Sequence, residues 1–280
     1  MAASKTADQK LFSVILATYD CGRKVEDTLK SILSQNRELF ELIVIDGAST
    51  DDTLDSIKKY DNGLTLVSEK DVSVYEAFNK AIDLAKGRYI YFIGAGDCLR
   101  PGVLEQVKEL LPQEVPAFVY GNIFLKKQNI YQAQNYRTSD FIFNNICHQA
   151  VFYHRDIFDI IGKFNLRYKV FADWVLNLQC FTEPKIKKQY IPCLIADFEE
   201  GGLSSQRNND AAFKKDFPSL IKKHLGFASY LKSKAYMINP NLYCFGYNGG
   251  YALKKHLFSY IAPYFRRFRS LKKKTVANPK

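Results

Sequence analysis

Three carboxylates that follow apolar runs are the residues of this 280-residue sequence with the clearest potential for chemistry. They are Asp46 after residues 42–45, Asp97 after residues 89–96, and Asp173 after residues 170–172. A short apolar run of β-forming residues predicts a strand that is buried on both faces, as in parallel sheets. In open α/β sheets the ligand lies at the carboxyl ends of the strands, where we expect Asp46 and Asp97. Two carboxylates that converge there suit a divalent cation and a phosphorylated ligand.

The segments around these carboxylates alternate between strand and helix patterns. The predicted strands cover residues 13–19, 42–46, 64–67 and 89–94. The predicted helices between them have apolar residues three and four positions apart, for example Val25, Leu29 and Ile32 in the first one. The order βαβαβαβ, with short connections, predicts an α/β fold with a doubly wound parallel core.

Three helix ends are also predicted from single residues. Ser49 is expected as the N-cap of the second helix, because Asp52 follows three residues later as in a capping box. Gly87 is expected at the C′ position after the third helix. Pro101, followed by Gly102, is expected at the first position of the next helix.

Six sequence blocks follow one another in an order that characterises a known family. They cover residues 13–19, 44–53, 68–81, 148–149, 172–174 and 201–205. Together they resemble the inverting, nucleotide-sugar-dependent glycosyltransferases of family 2, over roughly residues 11 to 205. The block at 68–81 is similar to a branch that builds bacterial surface polysaccharides. The resemblance implies the GT-A fold, a doubly wound, mainly parallel sheet flanked by helices, and a UDP-sugar as the donor.

The resemblance also implies roles for individual residues. The family's Asp-x-Asp metal motif appears as residues 95–97 with only its last carboxylate, so Mn²⁺ or Mg²⁺ is assigned to Asp97. The family's base motif, often Glu-Asp, appears as Ala172-Asp173, so Asp173 is implied as the catalytic base. Contacts to the donor nucleotide sugar are implied for Thr18, Tyr19, Asp46, Asp71, Asn79 and Asp97. Contacts to the acceptor are implied for His148, Gln149 and Trp174.

This chemistry has two requirements that carboxylates meet. By analogy with glycoside hydrolysis, a nucleoside diphosphate departs through an oxocarbenium-like transition state. Negative charge then develops on the diphosphate, and a divalent cation neutralises it. Mg²⁺ or Mn²⁺ is commonly held by one or two carboxylates together with phosphate oxygens, a task that suits Asp97. A second carboxylate must accept the proton of the attacking hydroxyl, a task that suits Asp173.

Each of these residues also has an ordinary structural interpretation. Asp46 and Asp97 at strand ends can cap the helices that follow them, and Asp173 can be a solvated residue at a helix start. A lone His such as His148 is more often structural than ligand-binding. Tyr75, on the predicted helix of residues 74–85, is expected to pack.

Positive charge is concentrated in the C-terminal part of the chain. Residues 214–280 contain 15 Lys and Arg and one acidic residue, whereas residues 1–213 contain 25 basic and 28 acidic residues. From Leu253 to Leu271, apolar and aromatic residues recur every three or four positions among basic ones, which indicates an amphipathic interfacial helix that Pro263 kinks. The alternative is a helix packed on the catalytic domain with a solvated basic end.

These patterns define two regions and their partners. Residues 1–215 are predicted as the nucleotide-sugar-binding catalytic domain, and residues 216–280 as a basic, aromatic-rich membrane-association region. The expected partners are a nucleotide-sugar donor, a polyprenyl-diphosphate-linked saccharide acceptor and an anionic membrane surface. Six scattered cysteines without a C-x-x-C pair, no signal peptide and no 18-residue apolar run predict a cytoplasmic protein on the inner face of the plasma membrane.

Three other functional classes compete with the glycosyltransferase interpretation of this sequence. A nucleic-acid-binding protein is disfavoured because no nucleic-acid module accompanies the basic tail, so no nucleic acid is expected as a partner. A dinucleotide-dependent enzyme is disfavoured because residues 19–22, after the first strand, have one Gly where a G-x-G-x-x-G turn is required. A sugar nucleotidyltransferase, which also binds nucleotide phosphates and a cation, stays open as the alternative.

Overall fold

Four parallel strands form the first half of the sheet, which confirms the predicted βαβαβαβ order. The structure, a computed structural model, describes residues 10–60, 63–199 and 210–238. The strands in this half are β1 (Phe12–Thr18), β2 (Phe40–Asp46), β3 (Thr65–Ser68) and β4 (Tyr89–Gly94). The helices between them are α1 (Lys24–Leu33), α2 (Thr53–Lys58) and α3 (Val74–Leu84). The strand order is β3-β2-β1-β4, and every neighbouring pair is parallel.

Antiparallel pairing begins at the far edge of β4. The remaining elements are β5 (Cys98–Leu99), α4 (Val103–Leu110), β6 (Ala117–Leu125), β7 (Ile130–Gln132), β8 (Val151–His154), α5 (Ile157–Ile161), α6 (Ala172–Thr182), β9 (Lys187–Phe198) and α7 (Ala211–Ile238). The full order is β3-β2-β1-β4-β8-β6-β9-β5, with β7 on β6. Strand β8 is antiparallel to both β4 and β6, whereas β6 and β9 are parallel. The sheet is therefore mixed: its first half is wholly parallel, and its second half combines the parallel β6–β9 pair with antiparallel pairs.

The two halves of the sheet meet at the β4–β8 pair, which we call the seam. Only three residue pairs form its ladder: Tyr89 with His154, Ile90 with Tyr153, and Tyr91 with Phe152. Aromatic rings reinforce it, since the Tyr91 and Phe152 rings stack with their centroids 4.7 Å apart. The Tyr89 ring meets the His154 ring edge-on at 5.2 Å. Side-chain packing therefore supplements a short set of backbone hydrogen bonds.

Helices cover both faces of the sheet and bury two apolar cores, as a doubly wound fold requires. Val25 and Leu29 of α1 and Val103 of α4 belong to the core on one face. Phe78 of α3 and Leu176 of α6 belong to the core on the other. The two cores lie on opposite sides of the strands, so successive residues of β1, β2 and β4 contribute to different cores.

Helix α7 belongs to the second of these cores. Its residues Phe213, Phe217 and Ile221 are buried there, and Gly226, with φ of 80°, interrupts the helix. The predicted boundary between residues 215 and 216 falls inside α7, in a stretch that packs on the catalytic domain. The predicted interfacial helix from Leu253 and the block at 201–205 lie outside the described residues.

The predicted helix ends differ from those observed. Helix α2 begins at Thr53, after Asp52, and Ser49 instead bonds Asp46 and the backbone N–H of Asp20. Pro101 precedes the first residue of α4 by two positions, and Gly102, with φ of 64°, lies between them. At the end of α3, Ala85 is the C-cap in an extended conformation, so Gly87 is not a C′ residue.

Gly87 has a different structural requirement, which is close backbone contact. A Cβ atom at this position would lie 2.5 Å from the carbonyl carbon of Phe12 and 2.5 Å from the backbone nitrogen of Ser13. Only glycine permits the chain to enter β4 at that distance from β1. Within the described ranges, no helix has both the length and the apolar character needed to cross a membrane.

Candidate active site

Asp46, at the carboxyl end of β2, is a fully buried carboxylate with a complete set of protein donors. Its Oδ1 accepts hydrogen bonds from Thr18 Oγ1 at 3.0 Å and from Ser49 Oγ at 2.5 Å. Its Oδ2 accepts from the Ser49 backbone N–H at 2.9 Å and from Ser68 Oγ at 2.8 Å. Thr18 and Ser68 are its register partners on β1 and β3. Asp46 therefore joins three strand ends, and a donor contact from it stays a prediction.

Tyr19 directly follows β1 and exposes 67% of its surface. Its ring lies beside Gly47, where a Cβ would be 3.1 Å from Tyr19 Cδ2. Asp20 and Ala48 adopt positive φ values of 39° and 60°, which turn the chain sharply at both strand ends. An exposed aromatic ring at this edge is suited to stack on a nucleobase, and Tyr19 stays a predicted donor contact.

Asp71 and Asn79, the other two predicted donor residues near β3 and α3, already have protein partners. Asp71 forms an ion pair with Lys80 Nζ at 2.6 Å, and Glu69 shares that ammonium at 2.7 Å. Burial raises the pKa of Asp71, an effect that Lys80 opposes, whereas the two carboxylates raise the pKa of Lys80. Asn79 donates to the Phe164 carbonyl at 2.9 Å and accepts from the Phe164 N–H at 3.0 Å. A donor contact from Asn79 would require these bonds to break.

Asp97 follows β4 and is 4% exposed. Its Oδ1 accepts from the backbone N–H of Glu199 at 2.8 Å, and its Oδ2 accepts from Gln149 Nε2 at 2.7 Å. Burial raises the pKa of Asp97, while these two hydrogen bonds and nearby His148 act in the opposite direction. A carboxylate that is costly to keep charged in isolation gains from a cation nearby.

The donor atoms around Asp97 fit only one kind of metal site. Among the residues that the structure describes, no three or more His, Cys, Asp or Glu side chains are close enough to hold an ion. A zinc or calcium site built from protein ligands does not fit this arrangement. Mg²⁺ or Mn²⁺ does, because such an ion is bound by one or two carboxylates together with substrate phosphates and water. Asp97 would hold the ion in that case.

Asp173 lies in the first turn of α6, where the helix dipole favours a carboxylate. It is not at a strand end, unlike Asp46 and Asp97, and it is 7% exposed. Its Oδ1 accepts from the Trp174 N–H at 2.8 Å and lies 3.0 Å from the hydroxyl of Tyr75. Its Oδ2 accepts from Asn145 Nδ2 at 3.0 Å. Three separate segments of the chain therefore orient one carboxylate.

The three predicted acceptor residues lie in different surroundings. His148 Nδ1 is 3.6 Å from Asp173 Oδ2, so His148 lies beside the predicted base. Gln149 is buried and bonds Asp97. Trp174 donates its indole N–H to the Phe141 carbonyl at 2.9 Å, and its ring packs against Phe213 and Phe217 of α7. The geometry thus gives Gln149 and Trp174 partners within the protein and leaves His148 beside the base.

Sequence reasoning missed Asn145 and Asn177 as polar residues of this site and favoured packing over a sugar contact for Tyr75. Tyr75 packs, as expected, but its hydroxyl also lies 2.7 Å from the Val170 carbonyl and beside Asp173. Asn145 contacts Asp173, and fully buried Asn177 contacts Asn145. A buried polar residue at a core position of α6 was the one available signal, because Asn177 interrupts an apolar run.

Comparison with known sequences places this site in a recognised context. A model of the family described as Glycosyl transferase family 2 matches residues 13–174. A PGL/p-HBAD biosynthesis glycosyltransferase of Mycobacterium tuberculosis is 36% identical over 215 residues, which cover 74% of this chain and 84% of that protein. The Escherichia coli UDP-Glc:alpha-D-GlcNAc-diphosphoundecaprenol beta-1,3-glucosyltransferase WfaP is 32% identical over 120 residues, or 42% of this chain and 48% of WfaP.

Solved structures show the same fold at low sequence identity. S. aureus TarS 1–349 in complex with UDP-GlcNAc superimposes with a TM-score of 0.59 at 18% identity, covering 88% of this chain and 76% of that one. The mannosyltransferase PcManGT from Pyrobaculum calidifontis, in complex with GDP-Man and Mn²⁺, gives a TM-score of 0.56 at 17% identity, covering 95% and 84%. Together with the family match over residues 13–174, this likeness in fold confirms the predicted GT-A architecture.

Proposed function

Because the chain belongs to glycosyl transferase family 2, we propose that it transfers a sugar from a UDP-sugar, with inversion, to a hydroxyl of a lipid-linked saccharide. The family makes it a glycosyltransferase, and its relatives are named for PGL/p-HBAD biosynthesis and for glucosyl transfer to a diphosphoundecaprenol-linked acceptor. One observation carries the mechanism. Adjacent residues of one segment reach both carboxylates, since Gln149 bonds Asp97 and His148 lies beside Asp173.

The proposed mechanism gives each carboxylate one task. Asp173 accepts the proton of the acceptor hydroxyl as that oxygen attacks the anomeric carbon, while Tyr75, Asn145 and the helix start keep the carboxylate in place. Asp97 lies where the diphosphate leaves, and a divalent cation bound there with the diphosphate would neutralise its charge. A single displacement with one base inverts the anomeric centre.

The choice of UDP and of a lipid-linked acceptor rests on the relatives. WfaP is described by a UDP-Glc donor and a diphosphoundecaprenol-linked acceptor, and the TarS structure contains UDP-GlcNAc. An exposed tyrosine at the end of β1 is consistent with stacking on a uracil ring.

A cytoplasmic location on the inner membrane face rests on charge and aromatic residues. In α7, the Lys222 ammonium lies 5.9 Å from the Phe227 ring centroid and 5.8 Å from that of Tyr230, and Phe227 is 49% exposed. A basic surface with exposed aromatic rings is typical of contact with anionic lipid. Deletion of residues 253–280 should release the protein from anionic vesicles and spare activity on a water-soluble acceptor. Unchanged vesicle binding would show that residues 253–280 are not the membrane contact, and loss of binding only on Phe227→Ala would assign it to α7.

The function is tested by nucleotide binding and by product analysis. UDP and UDP-sugars at 100 times the dissociation constant measured without Mn²⁺ should raise the free energy of unfolding by about 2.7 kcal/mol. Adding Mn²⁺ at the same nucleotide concentration should raise it further. Transfer should release UDP and give a product with inverted anomeric configuration by NMR. Release of pyrophosphate would instead identify a nucleotidyltransferase, and a retained configuration would refute the single displacement.

The Asp97→Asn variant tests the metal assignment. It should lose the Mn²⁺-dependent part of UDP binding and nearly all transfer, while the introduced amide oxygen keeps the bond from the Glu199 N–H. Urea unfolding checks that the fold is retained, because the new NH₂ group would face the Gln149 donor. Transfer above about a tenth of the wild-type rate, roughly 1.4 kcal/mol of barrier, would contradict the assignment.

A further inference from the structure

One short segment, residues 145–149, contacts both carboxylates of the site. At its first residue, Asn145 Nδ2 donates to Asp173 Oδ2 at 3.0 Å. At its last, Gln149 Nε2 donates to Asp97 Oδ2 at 2.7 Å. Asp97 follows β4 and Asp173 lies 76 positions later in the first turn of α6, so this segment is a direct physical link between them. We call residues 145–149 the amide bracket.

The orientation of the Asn145 amide is fixed by its neighbours. Asn177 Nδ2 donates to the Ile146 carbonyl at 2.9 Å, and a backbone carbonyl can only accept. The same Nδ2 group therefore also donates to Asn145 Oδ1, at 3.0 Å. Once the Asn145 oxygen faces Asn177, its NH₂ group must face Asp173. Tyr153 supports this arrangement by donating its hydroxyl to Asn177 Oδ1 at 2.7 Å.

The Gln149 amide is fixed in the same way at the other end. The Cys147 thiol lies 2.7 Å from Gln149 Oε1 and can donate to it. Burial raises the pKa of that thiol well above its ordinary value, so Cys147 keeps the proton that it donates. With its oxygen facing Cys147, Gln149 presents its NH₂ group to Asp97.

The backbone of the amide bracket is held at both ends by buried tyrosines. Tyr136 donates its hydroxyl to the Asn145 carbonyl at 2.9 Å, and Tyr91 donates to the Gln149 carbonyl at 2.8 Å. Ile146, between them, is 2% exposed and belongs to the core beneath α3 and α6. Few torsions are therefore free to change the separation of the two amide groups.

We propose that Asn145 and Gln149 are positioning residues whose shared segment sets the separation and orientation of Asp173 and Asp97. This inference rests on the proposed function, because it assigns a task to residues that hold the proposed base and the proposed metal carboxylate. In a transfer reaction the attacking hydroxyl and the departing diphosphate must lie on opposite sides of the anomeric carbon. The separation of the two carboxylates is then a condition of the reaction.

The Asn145 end is tested by kinetics with a matched control. Asn145→Ala should lower kcat by about 10²-fold, the usual effect of displacing a catalytic group by about 1 Å, and leave the KM for the donor within about twofold. Asn144→Ala removes the same amide one position earlier and should keep wild-type kcat. If Asn145→Ala misfolds, the isosteric Asn145→Asp variant, which keeps the acceptor for Asn177, should show the same kcat loss with intact UDP binding. Wild-type kcat in either folded variant would overturn the proposal.

The Gln149 end is tested by binding, without any turnover. Gln149→Met keeps the side-chain length and removes the N–H donor that faces Asp97. Calorimetry should show Mn²⁺-dependent UDP affinity reduced by about 10–100-fold, the usual cost of losing a partner that orients a metal ligand. UDP affinity without Mn²⁺ should not change. An unaltered Mn²⁺ effect would overturn this half of the proposal.

Failure of the bracket and failure of the proposed function give different results. If Asp173→Asn is inactive while Asn145→Ala turns over like wild type, the bracket is wrong and the base assignment stands. If Asp173→Asn is itself active, the base assignment is wrong and the bracket loses its purpose. The fold-loss of kcat in the Asn145→Ala/Gln149→Ala double variant should be smaller than the product of the fold-losses in the two single alanine variants, because both residues act on one segment. Fully multiplicative losses would show two independent contacts instead of a bracket.

Discussion

Asp46 and Asp173 are both buried carboxylates with several hydrogen-bond donors, yet the two halves of the molecule build their surroundings differently. Around Asp46 the donors come from the ends of β1 and β3 and from Ser49 just after β2, and Asp46 is 0% exposed. Around Asp173 they come from α3, the amide bracket and α6, and the residue keeps 7% exposure with His148 beside it. Complete enclosure by adjacent strands suits a structural carboxylate. Incomplete enclosure by distant segments leaves room for a reacting hydroxyl.

The largest effect should come from the half of the molecule that contains Asp173. Asp173→Asn should lower turnover by about 10²–10⁴-fold, because a positioned base contributes that much to the rate. Donor affinity should stay within about twofold, since Asp173 is held by Tyr75 and Asn145 and does not bond Asp97. Steady-state kinetics with a soluble acceptor, together with UDP calorimetry, measures both quantities. Equal losses of turnover and of UDP affinity would contradict the claim that Asp173 acts in turnover and not in donor binding.

A smaller effect, on the free energy of unfolding, should come from the half of the molecule that contains Asp46. Thr18→Val removes the hydroxyl that donates to Asp46 while keeping the side-chain shape. The free energy of unfolding should fall by about 1.5–3 kcal/mol, the usual value of a hydrogen bond to a charged group, and kcat should change less than tenfold. Urea unfolding measures this loss. Thr65→Val, at an exposed position of β3, is the matched control and should change stability little. A kcat loss like that of Asp173→Asn would show that Asp46 takes part in the reaction.

The smallest effect should come from the seam, through His154. Burial lowers the pKa of this residue below its ordinary value of 6.5, Arg88 and Arg155 act in the same direction, and Asp156 opposes them. As pH falls through 6.5 the unfolded chain takes up a proton before the folded chain does, so stability is lost down to the folded pKa and no further. In His154→Gln the free energy of unfolding should therefore depend less on pH, between about pH 8 and pH 5, than it does in wild type. Parallel curves for the two proteins would contradict this.

The first half of the fold was predictable because its information is local. Apolar runs and helical spacing specify β1 to β4 and α1 to α3, and parallel register then brings Thr18, Asp46 and Ser68 side by side. The helix ends at Ser49 and Gly87 were predicted wrongly because Ser49 accepts from the backbone N–H of Asp20 and Gly87 packs against the backbone of β1, and these tertiary contacts compete with capping. Local preference is a weak guide where another strand supplies a better partner.

The surroundings of Asp173 were not predictable for the opposite reason. Tyr75 and Asn145 lie 98 and 28 positions away from it in sequence. The mixed pairing of β6, β8 and β9 that brings these segments together leaves no periodic signal in the chain. Candidate carboxylates can therefore be selected from sequence type and position, whereas the residues that orient Asp173 become visible only in three dimensions.

The seam has a consequence for protein engineering. Because β4 and β8 share three ladder pairs, recombination of halves from two homologues depends mainly on side-chain contacts. These include the rings of Tyr89, Tyr91, Phe152 and His154 at the seam and the bonds from Asn79 to Phe164 and from Gln149 to Asp97. A chimera that exchanges residues after β5 should fold if it retains both sets of contacts, and it would carry the acceptor preference of the second parent.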